Sequence, residues 1–454
     1  MSAIVNAIAK FTDFMWGYPL LLILVGGGLI ITIRLGFFQF TKFPYICKQT
    51  FGKMFKKNEV KEDGAISPFE AACSALASSI GAANIVGVPT AIALGGPGAV
   101  FWMWITALIG CATKFSEVAL GVKYREKNEV GEYVGGPAYY LRHAFPGSVG
   151  KFIAAFATFA LMVEIVPSCA TQSYSVCNTV SELGVPNIIT AAVMLAVVVL
   201  VVCGGIKRIG QITSKLVPLM ALTYAVCVII IIGMNFSGVP AAFAQIFKGA
   251  FTSNAAFGGF AGSVVAATIR WGAARGCYSN EAGMGEAAYA HATAHTDHPA
   301  RQGFWGVFEV FVDTVVVCTL TALMVLTSGI WHAEGVTPGQ MPVKVFSGAF
   351  GTLGSVILSV CIILFVLSTI IVIIFYCEKN AEALFGHKFS IVMRFACFAA
   401  IIYGAFAEVE NLYMWLDFLL MGMVIPNMIG LVILSGEVKE LKDDFFSNKE
   451  LVNK

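Results

Sequence analysis

The stretch Ser78-Ser79-Ile80-Gly81-Ala82-Ala83-Asn84-Ile85-Val86-Gly87-Val88-Pro89 lies within an apolar run, residues 68–93, long enough to cross a bilayer. It combines two serines, two glycines, an asparagine and a proline, all poor helix formers. In hydrocarbon an unpaired backbone N–H or C=O costs on the order of several kcal/mol, so an interrupted helix survives only where it is buried in protein or lines a cavity. Such a segment constrains the chain to a membrane helix bundle with a polar interior. Discontinuous membrane helices of this kind mark ion and substrate sites in transporters.

The rest of the chain agrees with lipid as solvent. Of its 454 residues, 58% are hydrophobic and 12% charged, with mean hydropathy +0.81, against roughly 25% charged residues in soluble domains. The 12 cysteines are scattered through apolar runs and read as small apolar residues, not as a disulfide or zinc framework. The N-terminus has neither a basic start nor a small-residue cleavage site and reads as retained.

Eleven apolar runs are expected to span, at residues 17–40, 68–93, 97–121, 151–178, 186–204, 209–235, 256–290, 302–328, 353–376, 389–407 and 411–435. The first is a lead helix and the others are core helices 1 to 10. If all eleven cross, most basic residues fall on one side: Lys42 to Lys61, Lys123 to Lys151, Lys207 to Lys215, Arg275, Arg301, Lys379 to Arg394 and the tail. That side is expected to be cytoplasmic, with the N-terminus outside. Core helices 1–5 and 6–10 then form two five-helix halves of opposite topology, an inverted repeat. The expected segments are 1–64 (lead helix and basic loop), 65–235 and 236–435 (the repeats), and 436–454 (a cytoplasmic tail). Core helix 1 has its weak point at Gly81–Asn84, and core helix 6 is expected to break at Trp271–Gly276.

A broken helix offers free amides at one new end and free carbonyls at the other. Amides of Gly81, Ala82 and Ala83 suit a carboxylate; carbonyls of Ala77 and Ile80 suit a cation. Core helix 8 adds hydroxyls at Ser368 and Thr369 in a run that is otherwise apolar. Such hydroxyls can instead bond back to a carbonyl one turn earlier.

Several longer motifs sit around these residues. They are Ala91-Ile92-Ala93-Leu94-Gly95-Gly96-Pro97-Gly98-Ala99, Lys114-Phe115-Ser116-Glu117, Lys123-Tyr124-Arg125, Gly135-Gly136-Pro137-Ala138-Tyr139-Tyr140, Ile269-Arg270-Trp271-Gly272, Ser279-Asn280-Glu281-Ala282-Gly283-Met284-Gly285, Arg301-Gln302-Gly303 and Phe311-Val312-Asp313-Thr314. Together they resemble the alanine/glycine:cation symporter family, from about Ala65 to the last helix. The resemblance implies an all-α membrane protein of the LeuT-type fold with one extra N-terminal helix and broken core helices 1 and 6. It also implies sodium-coupled, in some members proton-coupled, uptake of a small neutral amino acid, usually alanine or glycine, across a bacterial inner membrane.

On that resemblance the substrate residues are Ser79, Gly81, Ala82, Ala83, Asn84, Gln172, Trp271 and Gly272, with the amino group near Gln172 and the core helix 6 break. The sodium residues are Ala77, Ile80, Phe365, Ser368 and Thr369. The family usually has Gly-Thr-Gly-Asn where this chain has Gly81-Ala82-Ala83-Asn84, which places the choice of substrate in question. A methyl on a pocket wall shifts selectivity by about 1–3 kcal/mol.

Ionisable groups at membrane depth are costly and are functional candidates. Here they are Glu164, Arg270, Glu309 and Asp313. Glu164 is a candidate proton acceptor or a partner for Arg270; a buried pair fixing helix packing is the simpler alternative. His291, His295, His298 and Asp297 resemble metal ligands but lack a complete motif, so no metal is expected. The basic run Lys42–Lys61 suits a flank on anionic lipid better than nucleic acid. No cofactor is expected beyond sodium as coupling ion, and no enzymatic nucleophile–base set is present. A non-transporting sensor on the same fold is the alternative from another class.

Overall fold

The computed structural model describes residues 2–54, 65–181, 184–252, 261–407 and 409–453. Lys56, Lys57 and Lys61 of the basic segment, and the start of the apolar run at 256, lie outside the described residues. The chain is built from helices α1 (Ser2–Met15), α2 (Tyr18–Arg34), α3 (Pro68–Ser79), α4 (Ala83–Gly95), α5 (Ala99–Lys123), α6 (Gly147–Ser181), α7 (Asn187–Val202), α8 (Gly205–Met234), α9 (Ala261–Asn280), α10 (Ala287–Ala292), α11 (Pro299–Thr327), α12 (Thr352–Phe385), α13 (His387–Tyr403) and α14 (Val409–Ser447). An antiparallel ribbon pairs Glu126–Lys127 with Tyr133–Val134 between α5 and α6.

A helix lies within each of the eleven apolar runs. Among the described residues, six helices, α5, α6, α8, α11, α12 and most of α14, are each long and apolar enough to cross a membrane. Two bent pairs, α1 with α2 at 40° and α3 with α4 at 49°, raise that number to eight.

Burial separates the helices that frame the interior from those that meet lipid. The most apolar stretch of α5 is 83% buried, whereas that of α8 is 28% buried. Leu219, Leu222, Val226, Ile229 and Ile230 of α8 are exposed, as expected of side chains whose solvent is hydrocarbon. α6 packs along α12 and α14, and α9 packs along α5, so these helices surround the bend between α3 and α4.

α3 begins with a capping box: Ser67 Oγ accepts from the Glu70 amide, the Glu70 carboxylate accepts from the Ser67 amide, and Pro68 opens the first turn. It ends at Ile80, whose backbone is extended (φ −77°, ψ 95°). α4 opens with a π-type turn, Ala83–Gly87, and α11 carries another at Phe311–Cys318. Such turns widen the helix ladder and are frequent at functional sites.

The second break is not where the sequence suggested. α9 is continuous through Trp271–Gly276 and ends at Asn280. The unwound segment is 281–286, where Glu281, Gly283 and Gly285 have φ of 55°, 97° and 80°. The earlier glycines serve packing. A Cβ on Gly272 would lie 2.3 Å from the Ala99 carbonyl oxygen, and one on Gly276 would lie 2.5 Å from Thr106 Oγ1, so α9 and α5 approach closely only because both are glycine. Arg275 consequently sits inside α9, in the half before the break, and does not belong to the basic flanks.

Candidate functional site

The two breaks meet. In the first, Asn84 turns back on its own chain: its side-chain oxygen accepts from the Gly81 amide at 2.9 Å. Its amide nitrogen donates to Asp313 Oδ1 at 2.7 Å and to Ser279 Oγ at 3.0 Å. Asp313 Oδ2 accepts from Ser279 Oγ at 2.8 Å and Thr314 Oγ1 at 2.7 Å. Asn84 and Asp313 are both fully buried. They therefore tie α4, the end of α9 and the π-type turn of α11 into one polar knot. Gly81, expected to offer its amide to a carboxylate, has given it to Asn84. Ala82 and Ala83 open the second half of the broken helix, where the first amides have no partner within the helix.

The second break is held from outside. Lys114 of α5 donates to the Asn280 carbonyl at 3.0 Å, capping the negative end of α9. One turn later on α5, Glu117 Oε1 accepts from the amides of Gly283 (3.1 Å) and Gly285 (2.8 Å) and from Asn427 Nδ2 (2.7 Å). Asn427 also donates to the Gly283 carbonyl at 2.9 Å and accepts from the Tyr140 hydroxyl at 2.6 Å. All of these side chains are buried. A lysine and a glutamate three residues apart thus satisfy the opposite ends of a gap in the neighbouring helix. These two residues were visible as part of a motif, but their role was not; the available signal was a pair of opposite charges one turn apart in an apolar run.

Between the breaks lies a cavity of ≈ 70 Å³. It is lined by Ser78, Ser79, Gly81, Ala82 and Ala83 from the first break, by Tyr278, Glu281, Met284 and Glu286 from the second, by Glu164, Ser168 and Gln172 of α6, by Thr369 and Ile373 of α12, and by Leu420 of α14. Ser78 Oγ donates to Glu281 Oε2 at 3.2 Å, closing the gap between the breaks. The buried Gln172 Oε1 atom has no hydrogen-bond partner among the described residues.

Oxygen atoms gather around Thr369, which lines this cavity; Ala77, Ile80, Phe365 and Ser368 are not among its lining residues. Thr369 Oγ1 donates to the carbonyls of Ala77 (2.9 Å) and Phe365 (3.0 Å), and it lies 3.4 Å from where a Cβ on Gly81 would stand. Ser368 Oγ donates to the same Phe365 carbonyl at 2.8 Å and touches Met220 Sδ at 3.6 Å. The structure therefore brings together Ala77, Phe365, Ser368 and Thr369, with Ile80 at the end of α3 beside them. Hard, uncharged oxygens suit a hard monovalent cation, whose lost water they replace, at the carbonyl end of a broken helix.

Other expected site residues lie elsewhere. Trp271 and Gly272 are not among the residues lining the cavity; Gly272 packs on α5, and the Trp271 ring lies under the guanidinium groups of Arg270 (5.5 Å) and Arg275 (5.7 Å). Tyr278, two turns further along α9, is the aromatic residue at the cavity. Arg270 makes no ion pair with Glu164 among the described residues. Glu309 is engaged with His291, which also meets Gln302 at 2.7 Å, in a fully buried group. The remaining histidine-segment residues disperse: His298 reaches Asp444 at 3.1 Å and Asp297 pairs with Arg301 at 2.6 Å.

A profile of the sodium:alanine symporter family matches residues 1–454. An uncharacterized transporter of Bacillus subtilis, YflA, is 49% identical over 446 residues, covering 98% of this chain and 94% of the relative. The sodium/alanine symporter AgcS of Methanococcus maripaludis is 39% identical over 439 residues, covering 96% and 95%. Among solved structures, MhsT in complex with L-phenylalanine superposes with a TM-score of 0.56 at 13% identity, over 86% of this chain and 92% of that one, a likeness of fold.

Proposed function

The chain belongs to the sodium:alanine symporter family and is a sodium-coupled amino-acid symporter of the LeuT-type fold; from that premise we propose that its substrate is alanine or glycine, imported by alternating access. The observation that carries this reading is the small cavity between two broken helices, which meets the opening residues of α4 on one side and, on another, Thr369, whose hydroxyl is backed by the Ala77 and Phe365 carbonyls. The substrate carboxylate rests on the amides of Ala82 and Ala83, where the positive end of α4 favours an anion. Sodium sits among the oxygens of Ala77, Ile80, Phe365, Ser368 and Thr369. Ion and carboxylate each offset the other's loss of hydration, so closure around both is favoured over closure around either alone. All eleven apolar runs cross the inner membrane, with the N-terminus outside, the C-terminus in the cytoplasm and residues 65–235 and 236–435 as opposed repeats.

Purified protein in proteoliposomes tests this with labelled alanine and glycine, under an inward sodium gradient, an inward proton gradient, or neither. Accumulation under the sodium gradient, with Thr369→Ala raising the sodium concentration for half-maximal uptake about tenfold, is expected. Accumulation driven equally well by protons alone transfers the coupling to Glu164, and failure to accumulate either amino acid overturns the assignment.

A further inference from the structure

Four carboxylates, three buried and one (Glu281) partly buried, surround the second break, and two of them are answered by the protein. Glu117 accepts three hydrogen bonds, and Glu281 accepts from Ser78 with Lys114 Nζ at 4.0 Å. Glu164 and Glu286 differ. Both line the cavity, they are 5% and 8% exposed, and among the described residues neither carboxylate has a hydrogen-bond donor or an ion-pair partner. Lys114 is already committed to the Asn280 carbonyl and to Glu281. A buried carboxylate without donors is strongly disfavoured until a positive group arrives.

We propose that Glu164, seconded by Glu286, anchors the ammonium group of the substrate. This rests on reading the cavity as an amino-acid site, and it moves the amino group away from Gln172. Two further features agree. The amides of Ala82 and Ala83 present the positive end of α4 to the cavity, whereas this wall is acidic. The cavity therefore has one end for each pole of a zwitterion. On α6, Glu164, Ser168 and Gln172 recur every four residues and form a polar stripe about 12 Å long. An ammonium has three N–H donors, enough for both carboxylates and one neutral oxygen such as that of Ser168. Sodium has its own uncharged oxygens around Thr369, which leaves the carboxylates to the organic cation.

The test is ligand binding to the purified, sodium-loaded protein, followed by calorimetry, with alanine, propionate (the same skeleton without the amine) and ethylamine (the amine without the carboxylate). Glu164→Gln is nearly isosteric, and its melting profile and elution volume verify folding. Glu164→Gln is expected to weaken alanine and ethylamine by about tenfold or more, Glu286→Gln to do so by less, and both to leave propionate and the sodium half-saturation within about twofold. Alanine affinity that survives Glu164→Gln overturns the proposal, as does an equal loss for propionate or a shift in sodium dependence instead. If the wild type binds ethylamine through Glu164 but neither alanine nor glycine, the ammonium anchor stands and the amino-acid assignment falls.

Discussion

The two breaks solve the same problem by opposite means. The first is short and is closed by a residue of its own broken helix: Asn84 folds back on Gly81 and then reaches Asp313 and Ser279. The second, at 281–286, is longer and is closed by a different helix, through Lys114 and Glu117. The consequence for the cavity is a division of labour. Self-closure uses up only the Gly81 amide, so the first break keeps amides for an anion. External closure uses up the amides of Gly283 and Gly285, so the second break presents acidic side chains instead. On the proposed reading, a neutral amino acid in its zwitterionic form lies between them with one pole toward each break.

The strongest way to break this comparison is at Glu117. Glu117→Ala strands two backbone amides and the Asn427 side chain, and leaves Lys114 with less opposing charge. The expected loss is about 3–5 kcal/mol of stability, read as a lower melting temperature in detergent and reduced membrane yield. Glu117→Gln keeps one acceptor oxygen and is expected to lose less. A melting temperature for Glu117→Ala equal to that of the wild type would falsify the view that the second break depends on α5.

Asn84 is next. Asn84→Ala removes the acceptor for Gly81 and one donor to Asp313, for about 1–3 kcal/mol. Because the stranded Gly81 amide belongs to a residue that lines the cavity, alanine uptake is expected to fall by more than stability does, about tenfold or beyond. Asn84→Asp restores the acceptor but sets a second carboxylate against Asp313, so it should not rescue uptake. Rescue by aspartate would mean that closing Gly81 is the whole task of this side chain and that the knot to α11 is dispensable.

How far these features could be read from sequence follows from whether their partners are local. Asn84 lies three residues from the amide it satisfies, and the first break was legible from the serines, glycines, asparagine and proline around it. Lys114 and Glu117 act on residues 166 and 168 positions away, a relation that no periodicity carries. The second break was misplaced because glycine has two uses in a membrane helix: Gly272 and Gly276 admit α5, whereas Gly283 and Gly285 turn the chain at positive φ. Composition alone does not separate those uses. Glu164 was conspicuous as a charge at membrane depth, but its lack of a partner, which is what makes it informative, exists only once the surrounding helices are in place.

The smallest expected effect sharpens the comparison most. If the first break receives the carboxylate end of the substrate, the methyl groups of Ala82 and Ala83 border the atoms that distinguish alanine from glycine. Ala83→Gly removes one methyl from the cavity wall without touching Asn84, Glu117 or the oxygens around Thr369. A change of this size shifts relative preference by about 1 kcal/mol, roughly fivefold. It is expected to raise uptake of alanine, or of a slightly larger neutral amino acid, relative to glycine in a competition assay. The sodium half-saturation should stay where it was, because the proposed ion site, around Thr369 and the Ala77 and Phe365 carbonyls, does not include Ala83. A glycine-to-alanine ratio that is unmoved by Ala83→Gly but moved by Met284→Ala would place selectivity at the second break, and the division between an anion end and an acidic end would have to be redrawn with the substrate side chain facing α10.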